Sequence, residues 1–208
     1  MRARLVDAAA LRYAQGGWGG LSYGTLAADT GLRKATLFHY FPTKDALVHA
    51  VFERLAHQLE ACTEAWFQPS TESFAARLDR IVAEFVDLYG AEPVNARIVC
   101  QGLLGVERLL PDGAGLPVFE RLVGELVAFM EQGIAAGAFV PARPLGLIMA
   151  IGGVVLFEAM VPTEAQRTFA GRSGVETALA ARRGEVVAFV RRAVLRTDTP
   201  VPAPKRSR

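Results

Sequence analysis

Hydrophobic residues recur along this chain at intervals of three and four, which is the period of an amphipathic α-helix. The strict alternation typical of strands is scarce, so the pattern predicts an all-α protein. The first predicted helices are short, and they cover about residues 2–15, 22–29 and 33–39. Gly31 follows the second helix, and Pro42 stops the third because proline lacks an N–H donor and clashes with the preceding turn.

Longer helices follow these three. Leu47, Val51, Leu55 and Leu59 repeat every four residues behind the N-cap Thr43, which predicts a fourth helix of about 20 residues. Beyond it the same period predicts a helical bundle over about 74–88, 93–107, 119–137, 144–161 and 176–196. The helix at 144–161 is the most apolar, but its uncharged run falls short of the roughly 20 residues that span a bilayer. We therefore expect a buried helix of a soluble protein.

Composition and charge change this picture little. Hydrophobic residues make up 51% and charged residues 21%, with a net charge of +2, so a globular chain is predicted without a global basic field. Residues 1–50 hold six Lys or Arg against three Asp or Glu, a mild basic excess. Cys62 and Cys100 have no zinc spacing, and Asp7 and Arg12 interrupt any signal-peptide core. These features predict a cytoplasmic protein with reduced thiols, no metal, no cofactor and no membrane partner.

The second and third helices, joined by a glycine turn, form a helix-turn-helix pattern. This geometry lets the second helix of the pair enter the major groove of DNA, where base edges differ. Lys34 can reach guanine or phosphate, Ala35 allows close approach, and Thr36 can donate to phosphate. Tyr40 and Lys44 can also reach phosphate, Lys44 from the start of the fourth helix.

The order of residues here is more specific than the bare pattern. The series Leu26-Ala27-x3-Gly31-Leu32-x3-Thr36, followed by LFHYF and then Lys44, resembles the N-terminal domain of TetR-type transcriptional regulators. The resemblance covers about residues 3–52. It implies an all-α fold with a helix-turn-helix DNA-binding domain at 1–46 and a helical effector-binding and dimerisation domain at 47–196. Residues 197–208 are left as a Pro-rich basic tail that we expect to be disordered.

The resemblance also implies most of the residues that contact DNA, and Ser22 and His39 are added to them. The candidates are Ser22, Arg33, Lys34, Ala35, Thr36, Phe38, His39, Tyr40 and Lys44. Three positions depart from the family's usual residues. Phe38 lacks the hydroxyl of the usual tyrosine, Arg33 replaces a small capping residue, and Gly24 replaces a frequent arginine. The family's contacts at these positions therefore cannot be transferred unchanged.

The bundle offers fewer signals. Polar residues within apolar stretches and large apolar residues are candidates for an effector pocket, although ordinary core or surface positions would look similar. They are Trp66, Tyr89, Gln101, Glu107, Met149, Phe157 and Glu158. The resemblance implies a homodimer formed through about 144–161 and 176–196. Two reading helices are also needed for useful specificity, because a single one makes few contacts.

These observations predict a ligand-responsive transcriptional regulator, a repressor that binds a palindromic double-stranded DNA operator as a homodimer and is released by a small apolar effector. Two alternatives stay open, a small helical enzyme and a helical adaptor that does not bind DNA. The sequence has no Gly-rich phosphate loop, no GxSxG and no metal spacing to favour an enzyme.

Overall fold

The computed structural model describes residues 1–104, 116–161 and 175–196, together with 164, 165 and 168, and at 104, 116 and 175–181 it describes the backbone alone. Regular structure within these residues is helical, and one isolated antiparallel bridge pairs Phe139 with Leu195. The all-α prediction is confirmed. The predicted candidate Glu107 and the tail 197–208 lie outside the described residues.

The helices follow the predicted order. They are α1 Arg2–Gly20, α2 Tyr23–Thr30, α3 Lys34–Tyr40, α4 Lys44–Thr63, α5 Phe74–Ala91, α6 Pro93–Leu104, α7 Leu116–Ala135, α8 Pro144–Met160 and α9 Val175–Val194. A short 3₁₀ turn, Glu64–Trp66, follows α4. The first helix is interrupted at the glycine pair, as the sequence predicted, and the range Arg2–Gly20 joins two helical pieces across that break. The helix kinks there, with Gly17 at φ 55° and ψ −146°, and resumes for one turn.

Local capping chemistry sets the ends of the small helices. The Ser22 hydroxyl accepts a hydrogen bond from the Thr25 N–H at 3.1 Å, and Gly31 ends α2 in the left-handed region at φ 69°. The Thr43 hydroxyl likewise accepts from the Ala46 N–H at the start of α4. Arg33 precedes α3 without any side-chain cap, as its replacement of a small capping residue predicted.

The helix α4 runs without a break across the predicted boundary between 46 and 47. Its predicted stripe, Leu47, Val51, Leu55 and Leu59, is buried to 2% exposure or less. One connected hydrophobic core extends from α1 through this stripe into the bundle. Further along the chain, α6 packs against both α1 and α8, while α5 packs against α8 and α9.

A polar network ties α1, α4 and α6 together where the two halves meet. Asn95 is 1% exposed, and its amide donates to Gln58 Oε1 and Glu92 Oε2, both at 3.1 Å. Arg54 donates to Asn95 Oδ1 at 3.4 Å and to Asp7 Oδ1 at 2.8 Å. Because buried polar groups are costly when unpaired, this network fixes how α6 lies on the two other helices.

The end of α7 is a tight turn that brings the chain back onto the helix. Gly137 has φ 72°, and its N–H and that of Ala138 bond the carbonyls of Ile134 and Gly133, a Schellman motif. The turn places the Phe139 ring directly over Gly133, where it is 1% exposed. The prediction that Gly137 ends this helix is confirmed.

No helix is long and apolar enough to cross a membrane in the part of the chain that the structure describes.

Candidate nucleic-acid interface

The short helix α3 has one face in the core and one in solvent. Leu37 and Phe41 are each 2% exposed and anchor the helix to the small domain. Lys34, Ala35 and Phe38 are exposed. Residues three and four apart share a helix face, so these three side chains form one contiguous surface. We call it the α3 surface.

Gly24 shapes the edge of the α3 surface. A Cβ atom at this position would lie 3.8 Å from Lys34 Nζ and 3.7 Å from Ser22 Oγ. Because Gly24 has no side chain, the space beside the Lys34 ammonium group stays open. The α3 surface therefore carries no cation on α2 at position 24, but the Lys34 ammonium group from α3 lies close to α2.

Phe38 is held in place by an aromatic neighbour from α2. The rings of Phe38 and Tyr23 stack with centroids 4.3 Å apart and an angle of 19° between planes. The Tyr23 hydroxyl donates to the Phe41 carbonyl at 2.5 Å, which fixes the Tyr23 ring against the end of α3. Burial, with a contribution from the Asp45 carboxylate, raises the pKa of Tyr23, so the hydroxyl stays protonated and remains a donor.

Lys44, predicted to hold phosphate, already has partners in the protein. Its ammonium group donates to the Trp18 carbonyl and lies 4.5 Å from the centroid of the Trp18 ring. The half-buried Trp18 packs against the core. This clasp joins the start of α4 to the last turn of α1, beyond the kink at Gly17.

The other predicted DNA contacts lie around the α3 surface. His39 and Tyr40 are exposed at the end of α3, with their rings 5.5 Å apart in an edge-to-face arrangement. Thr36 is half-buried and Arg33 is exposed. Ser22 is exposed, and its hydroxyl is engaged as the cap of α2. Seven of the nine candidates thus lie on α3 or at its N-cap, Ser22 caps α2 and Lys44 begins α4, and their contacts with DNA remain predictions.

Residues 5–51 match the family model of the bacterial regulatory proteins of the tetR family. The N-terminal domain is a TetR-family domain. The resemblance read from the sequence is confirmed. No curated protein matches the sequence significantly.

Solved structures extend the likeness of the TetR-family domain to the fold of the whole chain. The ketosteroid transcriptional regulator KstR2 of Mycobacterium tuberculosis is 17% identical, with a TM-score of 0.68 over 94% of this chain and 95% of that one. A bacterial regulatory protein of the tetR family from Rhodococcus RHA1 is 19% identical, with a TM-score of 0.68 over 91% and 96%. AibR, in complex with isovaleryl coenzyme A and operator DNA, is 19% identical, with a TM-score of 0.67 over 88% and 96%.

The chain thus has the fold of TetR-family transcriptional regulators, with the helix-turn-helix domain first and a helical domain after it. The family and the structural neighbours are transcription regulators and not enzymes. Across the described ranges, no group of three or more His, Cys, Asp or Glu side chains could hold a metal ion.

The structure does not gather the described effector candidates into one site, although Trp66 and Tyr89 both pack on the Phe85 ring. Trp66 and Tyr89 are in the core, and burial, with a contribution from Cys100, raises the pKa of Tyr89. Gln101 faces α1, where its Oε1 would lie 2.7 Å from a Cβ at Gly17. The remaining described candidates lie on the outside of α8: Met149 and Phe157 are 60% and 65% exposed, and Glu158 pairs with Arg182 at 3.0 Å.

An apolar cavity of about 70 Å³ lies elsewhere in the bundle, between α5, α7 and α8. Its lining is made of hydrophobic side chains and one glycine, and it includes none of the predicted effector residues. The lining residues are Leu78, Ile81, Val82, Phe85, Leu126, Phe129, Met130, Ile148, Ile151 and Gly152. The helical period predicted the helices that carry these residues, but no sequence signal marks where a core is incompletely filled.

An exposed apolar face runs along α8. Leu145, Met149 and Phe157 are 53%, 60% and 65% exposed at intervals of one and two helical turns. Gly153 lies between the last two, with open space where a side chain would be. On α9, Phe189 is 53% exposed. Large apolar side chains grouped in this way are typical of a surface that another protein covers.

Proposed function

We propose that this protein is a homodimeric repressor that binds a palindromic DNA operator and is released by a small, largely apolar effector. The observation that carries the proposal is the α3 surface of the TetR-family domain, an exposed, cation-bearing helix face held firmly by Leu37 and Phe41. A short helix of this kind fits the major groove, and two of them related by a two-fold axis read two half-sites.

Within this proposal the α3 surface and its neighbours contact DNA. Lys34 and Ala35 face base edges, while the cations and hydroxyls around them bind phosphates and fix the register. The residues proposed to bind phosphates are Ser22, Arg33, Thr36, His39, Tyr40 and Lys44. For Lys44 the Trp18 clasp orients the ammonium group, and a phosphate oxygen adds a further partner to the same cation.

Selection of bound duplexes from a random pool tests DNA binding directly. We expect enrichment of a palindrome whose half-sites lie about one helical turn, or a multiple of it, apart. No enrichment at low salt would contradict the proposal.

A charge variant then tests the predicted phosphate contact. Lys44→Gln keeps a donor for the Trp18 carbonyl but removes the charge, so affinity should fall. The slope of log affinity against log salt should shrink by about 0.9 for each protomer that loses a phosphate contact. Arg143→Ala, an exposed cation before α8, is the control and should leave the slope unchanged. An equal slope for Lys44→Gln and wild type would remove Lys44 from the interface.

We propose that the exposed faces of α8 and α9 form the homodimer, within the predicted ranges 144–161 and 176–196. Four exposed side chains support this, Leu145, Met149, Phe157 and Phe189. Phe157→Glu should raise the dimer dissociation constant by roughly two orders of magnitude or more, because burying one such side chain is worth about 1.5–3 kcal/mol and symmetry counts it twice. Sedimentation equilibrium measures this, with Leu11→Glu on α1 as a matched exposed control. A Phe157→Glu protein that dimerises like wild type would refute this interface.

We propose that the effector places an apolar end in the cavity between α5, α7 and α8. The hydrocarbon lining supports this, since such a site offers no hydrogen bond and selects apolar groups. Because about 70 Å³ is smaller than the 150 Å³ of an engineered cavity that holds benzene, binding must widen the gap between helices. That movement would favour a conformer whose reading helices no longer match the operator.

A cavity-filling variant tests this part of the proposal. Gly152→Leu should weaken the release of operator DNA by apolar compounds while leaving DNA affinity intact. Gly124→Leu, which adds the same side chain to an exposed position of α7, is the control. Equal release by the two variants would place the effector elsewhere, for example near Trp66 or Gln101.

A further inference from the structure

The ring of Phe38 is an unusual group on the α3 surface, because it can neither donate nor accept a hydrogen bond. It is 48% exposed. It follows Lys34 by four positions and Ala35 by three, so it shares the helix face that carries them. If this face enters the groove as proposed, Phe38 enters with it.

Phe38 is also fixed before any DNA arrives. One face of its ring is covered by Tyr23 at 4.3 Å, and the Tyr23 hydroxyl is anchored on the Phe41 carbonyl. A solitary exposed apolar side chain needs no explanation, but this one belongs to a stacked pair that orients its free side away from the core. A pre-organised contact group loses little conformational entropy on binding.

Major-groove chemistry then identifies the partner. A phenyl ring cannot bind phosphate or the polar edge of a base, and the apolar group that the major groove presents is the C5-methyl of thymine. We propose that Phe38, supported by Tyr23, contacts a thymine methyl in each operator half-site and so selects thymine at that position. This inference rests on the proposed DNA binding.

Deletion of the methyl group tests the contact without altering base pairing. The operator obtained by selection is resynthesised with deoxyuridine in place of each thymine in turn, at equivalent positions of both half-sites. At one position the affinity should fall about fourfold per half-site, or roughly 15-fold for the symmetric duplex, as expected for one buried methyl-sized group. Equal affinity at every position would overturn the inference.

A double-mutant cycle assigns the effect to Phe38. With Phe38→Ala, the ratio of thymine to deoxyuridine affinities at that position should fall to one. Tyr23→Ala should reduce the ratio, because the ring loses its support. Leu11→Ala, an exposed apolar residue on α1, should leave the ratio as in wild type. A ratio for Phe38→Ala equal to that of wild type would assign the methyl contact to another residue and refute the inference.

Two further controls cover misfolding of the Phe38 variant and failure of DNA binding itself. Phe38→Gln, which retains a long side chain and a good helix former, replaces Phe38→Ala if circular dichroism shows that the alanine variant has lost helix. The selection experiment distinguishes failure of DNA binding from failure of the Phe38 contact. If no duplex is enriched, the DNA-binding proposal itself fails. If a duplex binds and the ratios do not depend on residue 38, only the role of Phe38 fails.

Discussion

Two glycines of α7 should respond to the same substitution with opposite signs. Gly124 is exposed, with open space where a Cβ would be. Gly133 is buried beneath the Phe139 ring, and a Cβ there would lie 2.9 Å from Phe139 Cζ and closer still to Cδ2 and Cε2. Ordinary carbon contacts are about 3.5–4.0 Å, so the ring must move if Gly133 becomes alanine.

The ring has little room to move. Phe139 is 1% exposed and packs edge-on against Phe74 and Phe129, with centroids 5.8 and 5.5 Å away. The Schellman turn holds the backbone of Phe139 on the carbonyl of Gly133 at 3.2 Å. Overpacking of this kind costs about 1–3 kcal/mol, and expulsion of the ring about 3–5 kcal/mol. The helix-propensity gain of about 1 kcal/mol is common to both glycines, so the difference between the two variants is the steric cost alone.

Gly124→Ala should therefore stabilise the protein by roughly 0.5–1 kcal/mol, whereas Gly133→Ala should destabilise it, leaving the two variants at least about 1 kcal/mol apart. Urea unfolding followed by circular dichroism measures both, at one protein concentration because dimerisation shifts apparent stability. A Gly133→Ala protein as stable as Gly124→Ala would show that the Phe139 ring does not lie where the structure has it.

Three further predictions concern other parts of the fold. The Arg12 hydrogen bonds at 2.6 and 2.5 Å hold the pKa of Asp29 below its ordinary value of 3.8, so their stabilisation is present above pH 3.8 and lost as pH falls through the folded-state pKa. The difference in unfolding free energy between wild type and Asp29→Asn should shrink in that range, and a pH-independent difference would contradict this. Burial raises the pKa of the Cys100 thiol while Cys62 is exposed, so iodoacetamide at pH 8 should modify Cys62 first in peptide mapping; the reverse order would refute it. Asn95→Leu removes three hydrogen bonds, to Gln58, Glu92 and Arg54, and should cost about 0.5–1.5 kcal/mol for each; an unchanged urea midpoint would show that the network is dispensable.

The elements that local chemistry defines could be predicted from the sequence. The N-caps Ser22 and Thr43, the turn at Gly31 and the stripe from Leu47 to Leu59 all depend on neighbours a few residues away. The helix-turn-helix domain is made almost wholly of such elements, which is why its helices and turns could be predicted, whereas its DNA contacts rest on the resemblance and stay predictions.

Contacts between distant segments could not be predicted in this way. The clasp of Lys44 on Trp18 joins residues 26 positions apart, and its partner is a carbonyl that carries no sequence signal. The effector residues show a second reason. Because α8 is apolar nearly all round, periodicity cannot distinguish its inner side from its outer side, and Met149 and Phe157, which the sequence predicts to line a pocket, lie exposed.

The unbroken helix α4 makes the two halves one cooperative unit. Cutting the chain at 46 would strip α1 of the stripe from Leu47 to Leu59 and leave Leu5, Val6 and Ala9 without much of their cover. The small domain therefore draws stability from the bundle, and both halves should melt in a single transition. Any compound that stabilises the bundle then also protects the DNA-binding half against heat and proteolysis, even while it lowers affinity for the operator.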